Sequence, residues 1–298
     1  MSGLRLATRR SPLALRQAEL VRERLLAVGI ESSLVPVETV GDRALDVPLV
    51  ELGGRGVFAV EVQQALLRGE ADVAVHSAKD LPSTTPEGLV LASVPERLDG
   101  ADVLVGRSLA GLGPGATVAT GSPRRRALLL ERRPDLRVVE LRGNMARRLE
   151  IAASSGVDAV ITAAAALARL EESARVAQRL DPQWFIPQVG QGALALEVRS
   201  DDEQAFHAVA SINLDDAMMA LIAERSFLKE LGAGCSIPAG AHANVVSGRC
   251  ELRGVMIAVD GSSSVRHVVS GTDPMLLGIE LARNLRDEQG GAQLPGWS

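Results

Sequence analysis

The chain has few aromatic residues, few lysines and few cysteines. Its 298 residues include four Phe, two Trp and no Tyr, and its formal net charge is −5. Proteins that bind single-stranded nucleic acid usually stack bases on aromatic rings and carry an excess of positive charge. The composition therefore disfavours a role in nucleic-acid binding. Two cysteines in a chain of this length do not make a disulfide framework.

Long apolar runs are also absent. No segment approaches the roughly 18–20 residues that are needed to span a bilayer, and the first residues lack the apolar region of a signal peptide. Hydrophobic residues make up 46% of the chain and charged residues 23%, which is typical of a soluble globular protein. We therefore expect a cytoplasmic protein, and the length predicts two or three domains.

Arginine is concentrated in one stretch of the chain. Residues 120–150 contain nine arginines and four acidic residues, so this stretch carries a net charge of +5 and the remaining residues carry −10. One interpretation is a solvated helix face. The other is a site for anions, because arginine binds carboxylate or phosphate through two parallel hydrogen bonds and keeps its charge.

Strand-like and helix-like segments alternate over the first two thirds of the chain. Strands are predicted at 4–8, 33–37 and 72–76, separated by helices, and the same pattern recurs over 117–162. This alternation indicates an α/β fold with a mostly parallel sheet that is covered on both faces. Residues 193–198 are a further predicted strand, which could return to the first lobe.

The last third of the chain has a different pattern. A predicted helix over 215–231 precedes two strands at an Asp260-Gly261 turn and a closing helix over 273–289, which indicates a small α+β domain. We expect the tail from residue 290 to be mobile. The predicted domains are residues 1–97 with 193–212, residues 98–192, and residues 213–298.

Two helices begin in the same way. Ser11-Pro12 and Ser122-Pro123 each follow a strand, and Ser is a favourable N-cap while Pro suits the first helical position. Arginines lie beside both starts. Because helix N-termini attract anions, the pair predicts two lobes that face a shared cleft with a polyanionic ligand.

Asp80 is the candidate catalytic carboxylate, since it follows a strand end, where open α/β sheets bind ligands. The alternative is an aspartate that caps a turn. Its neighbour Lys79 is one of only two lysines beside 30 arginines. A functional site that needs a compact ammonium group would explain why lysine and not arginine stands at this position. The alternative is that the lysine stands there by chance.

Cys235 lies among small residues, a setting that suits a thiol presented on a loop, although a structural role is the general expectation for a lone cysteine. Cys250 is expected to be buried. A zinc site from Cys235, His242 and Cys250 is disfavoured because the chain has no Cys-x-x-Cys pair. There is also no P-loop, no Gly-x-Ser-x-Gly, and no Gly-x-Gly-x-x-Gly after a strand.

Five motifs occur in an order that closely resembles the porphobilinogen deaminase family, whose members are also called hydroxymethylbilane synthases. They are Ala-Thr-Arg-Arg-Ser-Pro-Leu-Ala-Leu at 7–15, Val-His-Ser-Ala-Lys-Asp-Leu-Pro at 75–82, Leu-Arg-Gly-Asn at 141–144, Val-Gly-Gln-Gly-Ala at 189–193 and Gly-Cys-Ser-Ile-Pro at 234–238. The resemblance runs from about residue 4 to about residue 289.

The resemblance implies a fold and an activity. The fold is two α/β lobes like those of periplasmic binding proteins around a cleft, with a small α+β third domain. The activity is the deamination of four porphobilinogen molecules and their head-to-tail condensation into hydroxymethylbilane in tetrapyrrole biosynthesis. The resemblance also implies a dipyrromethane cofactor joined to Cys235 through a thioether, and Asp80 as the catalytic acid and base.

Binding residues are implied by the same resemblance. The cofactor would be held by Lys79, Thr120, Ser122, Arg124, Arg125 and Arg142. The substrate would be bound by Arg9, Ser11, Gln17, Phe58, Arg148 and Arg169. The family suggests a monomer. From the composition and motifs we expect no metal, nucleic-acid or membrane partner. The alternative function is a non-catalytic two-lobe receptor for a carboxylate-rich small molecule, which would need neither Cys235 nor Asp80.

The chain departs from the family pattern at a few positions. Arg55 and Val60 stand where lysine is frequent, Ala101 replaces an arginine of the hinge region, and Gly232 replaces a glutamate before the cysteine. None of these changes involves Asp80 or Cys235.

Overall fold

The computed structural model describes residues 3–39, 58–154, 156–232 and 238–297. The strands of these residues are β1 Leu4–Arg9, β2 Ser32–Val37, β3 Val73–Ser77, β4 Leu89–Ser93, β5 Asp102–Gly106, β6 Thr117–Ala119, β7 Arg137–Val139, β8 Ala159–Ala163, β9 Val176–Arg179, β10 Leu194–Arg199, β11 Ala239–Val246, β12 Arg249–Ile257 and β13 Ser264–Gly271. The α-helices are α1 Pro12–Ala27, α2 Val60–Leu67, α3 Pro123–Arg132, α4 Met145–Ala153, α5 Ala164–Arg169, α6 Glu203–Ala210, α7 Asp215–Glu230 and α8 Pro274–Arg283.

The first sheet has the strand order β2-β1-β3-β10-β4. Strand β1 is parallel to β2 and β3, whereas β10 is antiparallel to β3 and β4. Helix α1 covers the sheet with Ala18, Val21 and Leu25, whose spacing places them on one face of the helix. The predicted return of residues 193–198 to the first lobe is therefore confirmed.

The second sheet repeats this arrangement with the order β7-β6-β8-β5-β9. Strand β6 is parallel to β7 and β8, and β5 is antiparallel to β8 and β9. Each lobe thus contains one antiparallel strand reached by a connection from the other lobe: residues 94–101 lead into β5, and residues 180–193 lead into β10. The predicted pair of α/β lobes is confirmed, and the residue boundaries of the domains stay a prediction.

The third unit is the antiparallel sheet β11-β12-β13, on which α7 and α8 pack. Strand β11 was not predicted, because its first residues, Ala239-Gly240-Ala241-His242-Ala243, contain no β-branched or large apolar side chain. The predicted mobility of the tail is wrong, since Trp297 packs on this core and its Nε1 donates to the carbonyl oxygen of Ile257 at 2.8 Å.

Among the described residues, no single helix has both the length and the apolar composition to cross a membrane. Helices α6 and α7 reach that length and apolar composition only when they are taken together, and they are bent by 113° relative to each other.

The two connections between the lobes lie against each other. The amide of Leu98 donates to the carbonyl oxygen of Gly192 at 3.0 Å, and Arg97 forms a β-bridge with Ala193. Gly192 has a φ of +92°, and a Cβ atom there would lie 2.3 Å from the carbonyl oxygen of Leu98. The close pairing of the connections therefore requires glycine at position 192.

We expect Gly192→Ala to lower the free energy of unfolding by about 2 kcal/mol or more, because it combines a positive φ with a backbone clash. Urea denaturation followed by circular dichroism measures this change. Gly113→Ala is the matched control, since Gly113 has nothing within 4 Å of its added Cβ atom and no positive φ. Equal midpoints for the two variants would contradict the packing argument.

Candidate active site

Two cavities lie on either side of a 3₁₀ turn formed by Ala78–Asp80 at the end of β3. The Asp80 cavity, of about 370 Å³, is lined by Asp80 together with Arg9, Ser11, Leu13, Ala14, Gln17, Phe58, Val75, His76 and Ser77. The Lys79 cavity, of about 490 Å³, is lined by Lys79 together with Ala78, Leu81, Ser83, Ser122, Arg124, Gln188, Val189, Arg225, Leu228 and Ala239.

The turn directs consecutive side chains into different cavities. In a 3₁₀ turn, adjacent side chains point about 120° apart, which accounts for Lys79 lining one cavity and Asp80 the other. The strand that carries the turn is fixed by Gln17, whose Nε2 donates to the Oγ of Ser77 at 2.8 Å. Asp80 is thus held at a strand end, as predicted, and Gln17, which also lines the Asp80 cavity, contacts the residue before the turn.

Both predicted helix starts are confirmed as N-caps. Ser11 Oγ accepts from the amide of Ala14 at 3.3 Å, and Ser122 Oγ accepts from the amide of Arg125 at 3.4 Å. Ser11 lines the Asp80 cavity, and Ser122 lines the Lys79 cavity. Thr120 Oγ1 accepts from the amide of Ser122 at 3.2 Å and orients the second start. Each cavity therefore has a helix N-terminus in its wall, which favours negatively charged ligands.

Arg9 and Phe58 form a pair in the wall of the Asp80 cavity. The guanidinium carbon of Arg9 lies 4.0 Å from the centroid of the Phe58 ring, a cation–π geometry. The ring therefore packs on the arginine side chain in the wall of the cavity that Asp80 also lines.

Arg124 and Arg125 share one buried carboxylate. Arg124 Nη2 lies 2.7 Å from Asp102 Oδ2, and Arg125 Nε donates to Asp102 Oδ1 at 2.9 Å. Burial raises the pKa of Asp102, but the two guanidinium groups outweigh it and hold that pKa at about 2. The buried Nε of Arg124 has no hydrogen-bond partner among the described residues, although Arg124 lines the Lys79 cavity.

The region around Lys79 and Arg148 has an excess of positive charge. Burial, together with the nearby charges of Arg125 and Arg148, lowers the pKa of Lys79 to about 8 against the opposing effect of Asp80 and Asp102. Burial and Arg125 likewise lower the pKa of Arg148 to about 10. A bound polyanion would relieve this repulsion. With the unpartnered Nε of Arg124, this charge excess fits a carboxylate-bearing ligand.

Arg142 and Arg148 belong to the N-terminal region of α4 and the residues before it. Arg142 Nε lies 3.2 Å from Glu140 Oε1, and Arg148 Nε donates to the carbonyl oxygen of Gly143 at 3.1 Å. Arg148 interacts electrostatically with Asp80, so this part of the second lobe faces the turn of the first lobe.

Arg169 lines neither cavity. Its Nε donates to Glu96 Oε1 at 3.0 Å and its Nη2 donates to the carbonyl oxygen of Gly192 at 2.7 Å. Glu96 also pairs with Arg24 of α1 at 3.1 Å. Arg169 thus joins the two connections between the lobes, and its contact with substrate stays a prediction.

Arg225 was missed by the sequence analysis. It lies on α7 in the third unit, lines the Lys79 cavity and donates from Nη1 to the carbonyl oxygen of Pro82 at 2.8 Å. Nothing in its local sequence distinguishes it among 30 arginines. Only the packing of α7 against the first lobe brings it to the site.

Cys235 and Arg55 lie outside the described residues. Leu228 before Cys235 and Ala239 after it both line the Lys79 cavity. Among the positions that depart from the family pattern, Val60 begins α2 and is exposed, Ala101 is fully buried, and Gly232 has a φ of +64°.

Comparison with known proteins identifies the family. The model described as "Porphobilinogen deaminase, dipyromethane cofactor binding domain" matches residues 4–207, and that described as "Porphobilinogen deaminase, C-terminal domain" matches residues 218–287. The chain is 43% identical to porphobilinogen deaminase of Syntrophotalea carbinolica, over 95% of this chain and 92% of the relative. It is 44% identical to that of Pelobacter propionicus, over 98% of this chain and 96% of the relative.

Among solved structures, the chain is similar to a periplasmic substrate-binding protein of an ABC transporter from Coxiella burnetii. The TM-score is 0.44 and the sequence identity is 16%, over 70% of this chain and 91% of that chain.

We expect the stability advantage of the native chain over Asp102→Asn to depend on pH. The pKa of Asp102 is about 2 in the folded protein, below its unfolded value, so its stabilising contribution is present above about pH 4 and is lost as the pH falls towards 2. The difference in unfolding free energy between the two proteins should shrink by about 2 kcal/mol over that range. Denaturation at pH 6, 4 and 2.5 measures it, and a constant difference would contradict the assignment.

Proposed function

The chain belongs to the porphobilinogen deaminase family, and we propose that it condenses four porphobilinogen molecules head to tail into hydroxymethylbilane with release of ammonia. This is a transferase reaction of tetrapyrrole biosynthesis. The observation that carries the proposal is the turn Ala78–Asp80, which presents a carboxylate to one cation-lined cavity and an ammonium group to the next. We further propose that the protein acts as a monomer in the cytoplasm, without metal, nucleic acid or membrane.

The cavities are suited to a substrate that gains negative charge as it grows. Each porphobilinogen brings an acetate and a propionate group, so the product chain carries eight carboxylates. Arg9 and Ser11 are proposed to bind the carboxylates of the incoming molecule, with Gln17 and Phe58 fixing their surroundings. Arg148 faces the same turn from the second lobe, and Arg142 lies six residues before it along the chain. Arg169 is proposed to act with them through the connections between the lobes.

Asp80 is proposed to act as the general acid and base. Loss of ammonia leaves a cationic azafulvene, and formation of each carbon–carbon bond requires that a proton be removed from the pyrrole that is attacked. A carboxylate at the cavity wall can stabilise the cation and accept that proton. Arg9 lines the same cavity as Asp80, and Lys79 is its neighbour in the turn.

A dipyrromethane cofactor fits the residues of the Lys79 cavity. Arg124 Nε, which has no hydrogen-bond partner among the described residues, would hold its carboxylates together with the Lys79 ammonium group and the N-terminus of α3 at Ser122. Thr120, Arg125 and Arg142 would support them. We propose that Cys235 carries it through a thioether. When bound, the cofactor supplies the pyrrole terminus to which the first substrate is joined.

The alternative of a non-catalytic receptor is not supported. A receptor for a carboxylate-rich molecule would account for the arginines, but the family models and the relatives both indicate the deaminase.

Cys235→Ser should abolish the covalent adduct, because the chain has only one other cysteine and that residue, Cys250, is fully buried. Intact-mass spectrometry of the purified protein should give a mass above that of the bare chain for the native protein and for Cys250→Ser, and the bare mass for Cys235→Ser. A bare mass for the folded native protein would refute the proposed attachment.

Asp80→Asn should reduce kcat by at least about 100-fold, the usual contribution of a general acid or base. The adduct mass and the melting temperature should stay near those of the native protein, because Asp80 is proposed to move protons and not to hold the cofactor. Asp201→Asn, at an exposed position, is the matched control. Near-normal turnover by Asp80→Asn would show that another group performs the proton transfer.

A further inference from the structure

A second carboxylate, Glu197, is buried in the sheet that carries the turn. Glu197 lies on β10 and has no solvent exposure. In the register of β10 with β3, Glu197 is opposite Ala74 and His76 is opposite Ala195. Residues opposite each other in an antiparallel pair share a face, and alternate residues along a strand also share one. Glu197 and His76 are therefore diagonal neighbours on the same face of the sheet.

The contacts of Glu197 are few. Gln63 Nε2 donates to Glu197 Oε2 at 2.7 Å, and His76 Nε2 lies 3.3 Å from the same oxygen. Among the described residues, neither Glu197 Oε1 nor His76 Nε2 has a hydrogen-bond partner, so His76 approaches the carboxylate at ion-pair distance. Burial raises the pKa of Glu197, but His76, Gln63 and Arg225 outweigh it and bring the pKa below the ordinary value. Glu197 is therefore a buried anion.

Glu197 interacts with the lining of both cavities. His76 lines the Asp80 cavity, and Arg225 lines the Lys79 cavity. Arg225 and Glu197 attract each other electrostatically, and Arg225 donates to the carbonyl oxygen of Pro82 and to Thr85 Oγ1, at 2.8 and 3.2 Å. One buried charge thus faces a histidine on one side of the turn and an arginine on the other.

Stability alone does not account for this arrangement. Moving an ion into a protein interior costs several kcal/mol, and well-packed apolar residues often stabilise such a position equally well or better. Two of the three partners of Glu197 line the candidate active site, whereas a purely structural ion pair requires no such placement.

We propose that Glu197 is a positioning residue of the active site, which orients the His76 ring in the Asp80 cavity and holds Arg225 against the loop that follows Asp80. This inference rests on the proposed function. The anion favours the form of His76 that carries a proton on Nε2, so that Nδ1 is the ring nitrogen left to interact with a ligand. Arg225, in turn, fixes residues 82–85 directly after the catalytic turn.

The charged groups around His76 define the experiment. Glu197 approaches it from β10, and Asp80 and Arg9 share its cavity. The chain has four histidines, so the ring nitrogen signals of histidine labelled with nitrogen-15 can be assigned by the loss of one set in His76→Gln. Glu251→Gln is the matched control, because Glu251 is an exposed glutamate of β12 that pairs only with Arg253 among the described residues.

In the native protein we expect the His76 Nε2 signal at the position of a protonated nitrogen. Glu197→Gln should move this signal towards that of a ring with mixed tautomers, and Glu251→Gln should leave it unchanged. Identical His76 signals in the native protein and Glu197→Gln would overturn the proposal. The nitrogen signals can be measured without turnover. Failure of the native protein to convert porphobilinogen would refute the proposed function but would leave this test of Glu197 intact.

Kinetics provide the second test. Glu197→Gln keeps the shape of the side chain, and we expect a fall in kcat of at least 10-fold with KM changed by less than threefold. His76→Gln should show the same pattern, and the double variant should be no slower than the slower single variant, because the two residues act as one unit. A fall in kcat of the double variant equal to the product of the two single falls, or a rise in KM with kcat unchanged, would overturn the proposal. If Glu197→Gln does not fold, the pH profile of kcat for His76→Gln is compared with that of the native protein. Equal profiles would overturn the proposal.

Discussion

The carboxylate of Asp102 connects the parts of the protein that form the cleft. Asp102 is the first residue of β5 in the second sheet. Its carboxylate accepts hydrogen bonds from Arg124 and Arg125 in the first turn of α3, and from Gln191 Nε2 at 2.9 Å. Gln191 lies in the connection that returns to the first lobe, and its Nε2 also donates to the carbonyl oxygen of Gly100 in the other connection at 2.7 Å. One buried anion therefore fixes a helix N-terminus relative to both connections between the lobes.

The same anion contributes to the proposed binding of negatively charged ligands. Asp102 neutralises only part of the positive charge that Arg124, Arg125, Arg148 and Lys79 bring together, and burial weakens the screening of the remainder. The arginines are pre-oriented by Asp102, so a ligand does not have to order them. Carboxylates of the proposed ligand would be attracted by this excess of positive charge.

The sequence predicted much of the site because its signals are local. The N-caps Ser11 and Ser122 follow from a Ser-Pro pair after a strand, and Asp80 follows from a strand end. The sequence did not predict that Arg169 would join Glu96 and the carbonyl oxygen of Gly192. It also did not predict β11, whose small residues lack strand propensity and form a strand because β12 provides hydrogen bonds.

The sequence by itself determined the alternation of strands and helices, the two capped helix starts and the family, since each depends on residue types at fixed spacing along the chain. Only the tertiary structure decided how the arginines are paired, which cavity each member of the Lys79-Asp80 pair lines, and that Arg225 lines the Lys79 cavity and interacts with the buried Glu197. The physical reason is that charge interactions depend on distance in space and on burial. Glu197 approaches His76, and Arg225 contacts Pro82, only because β10 returns to the first sheet and α7 packs beside it.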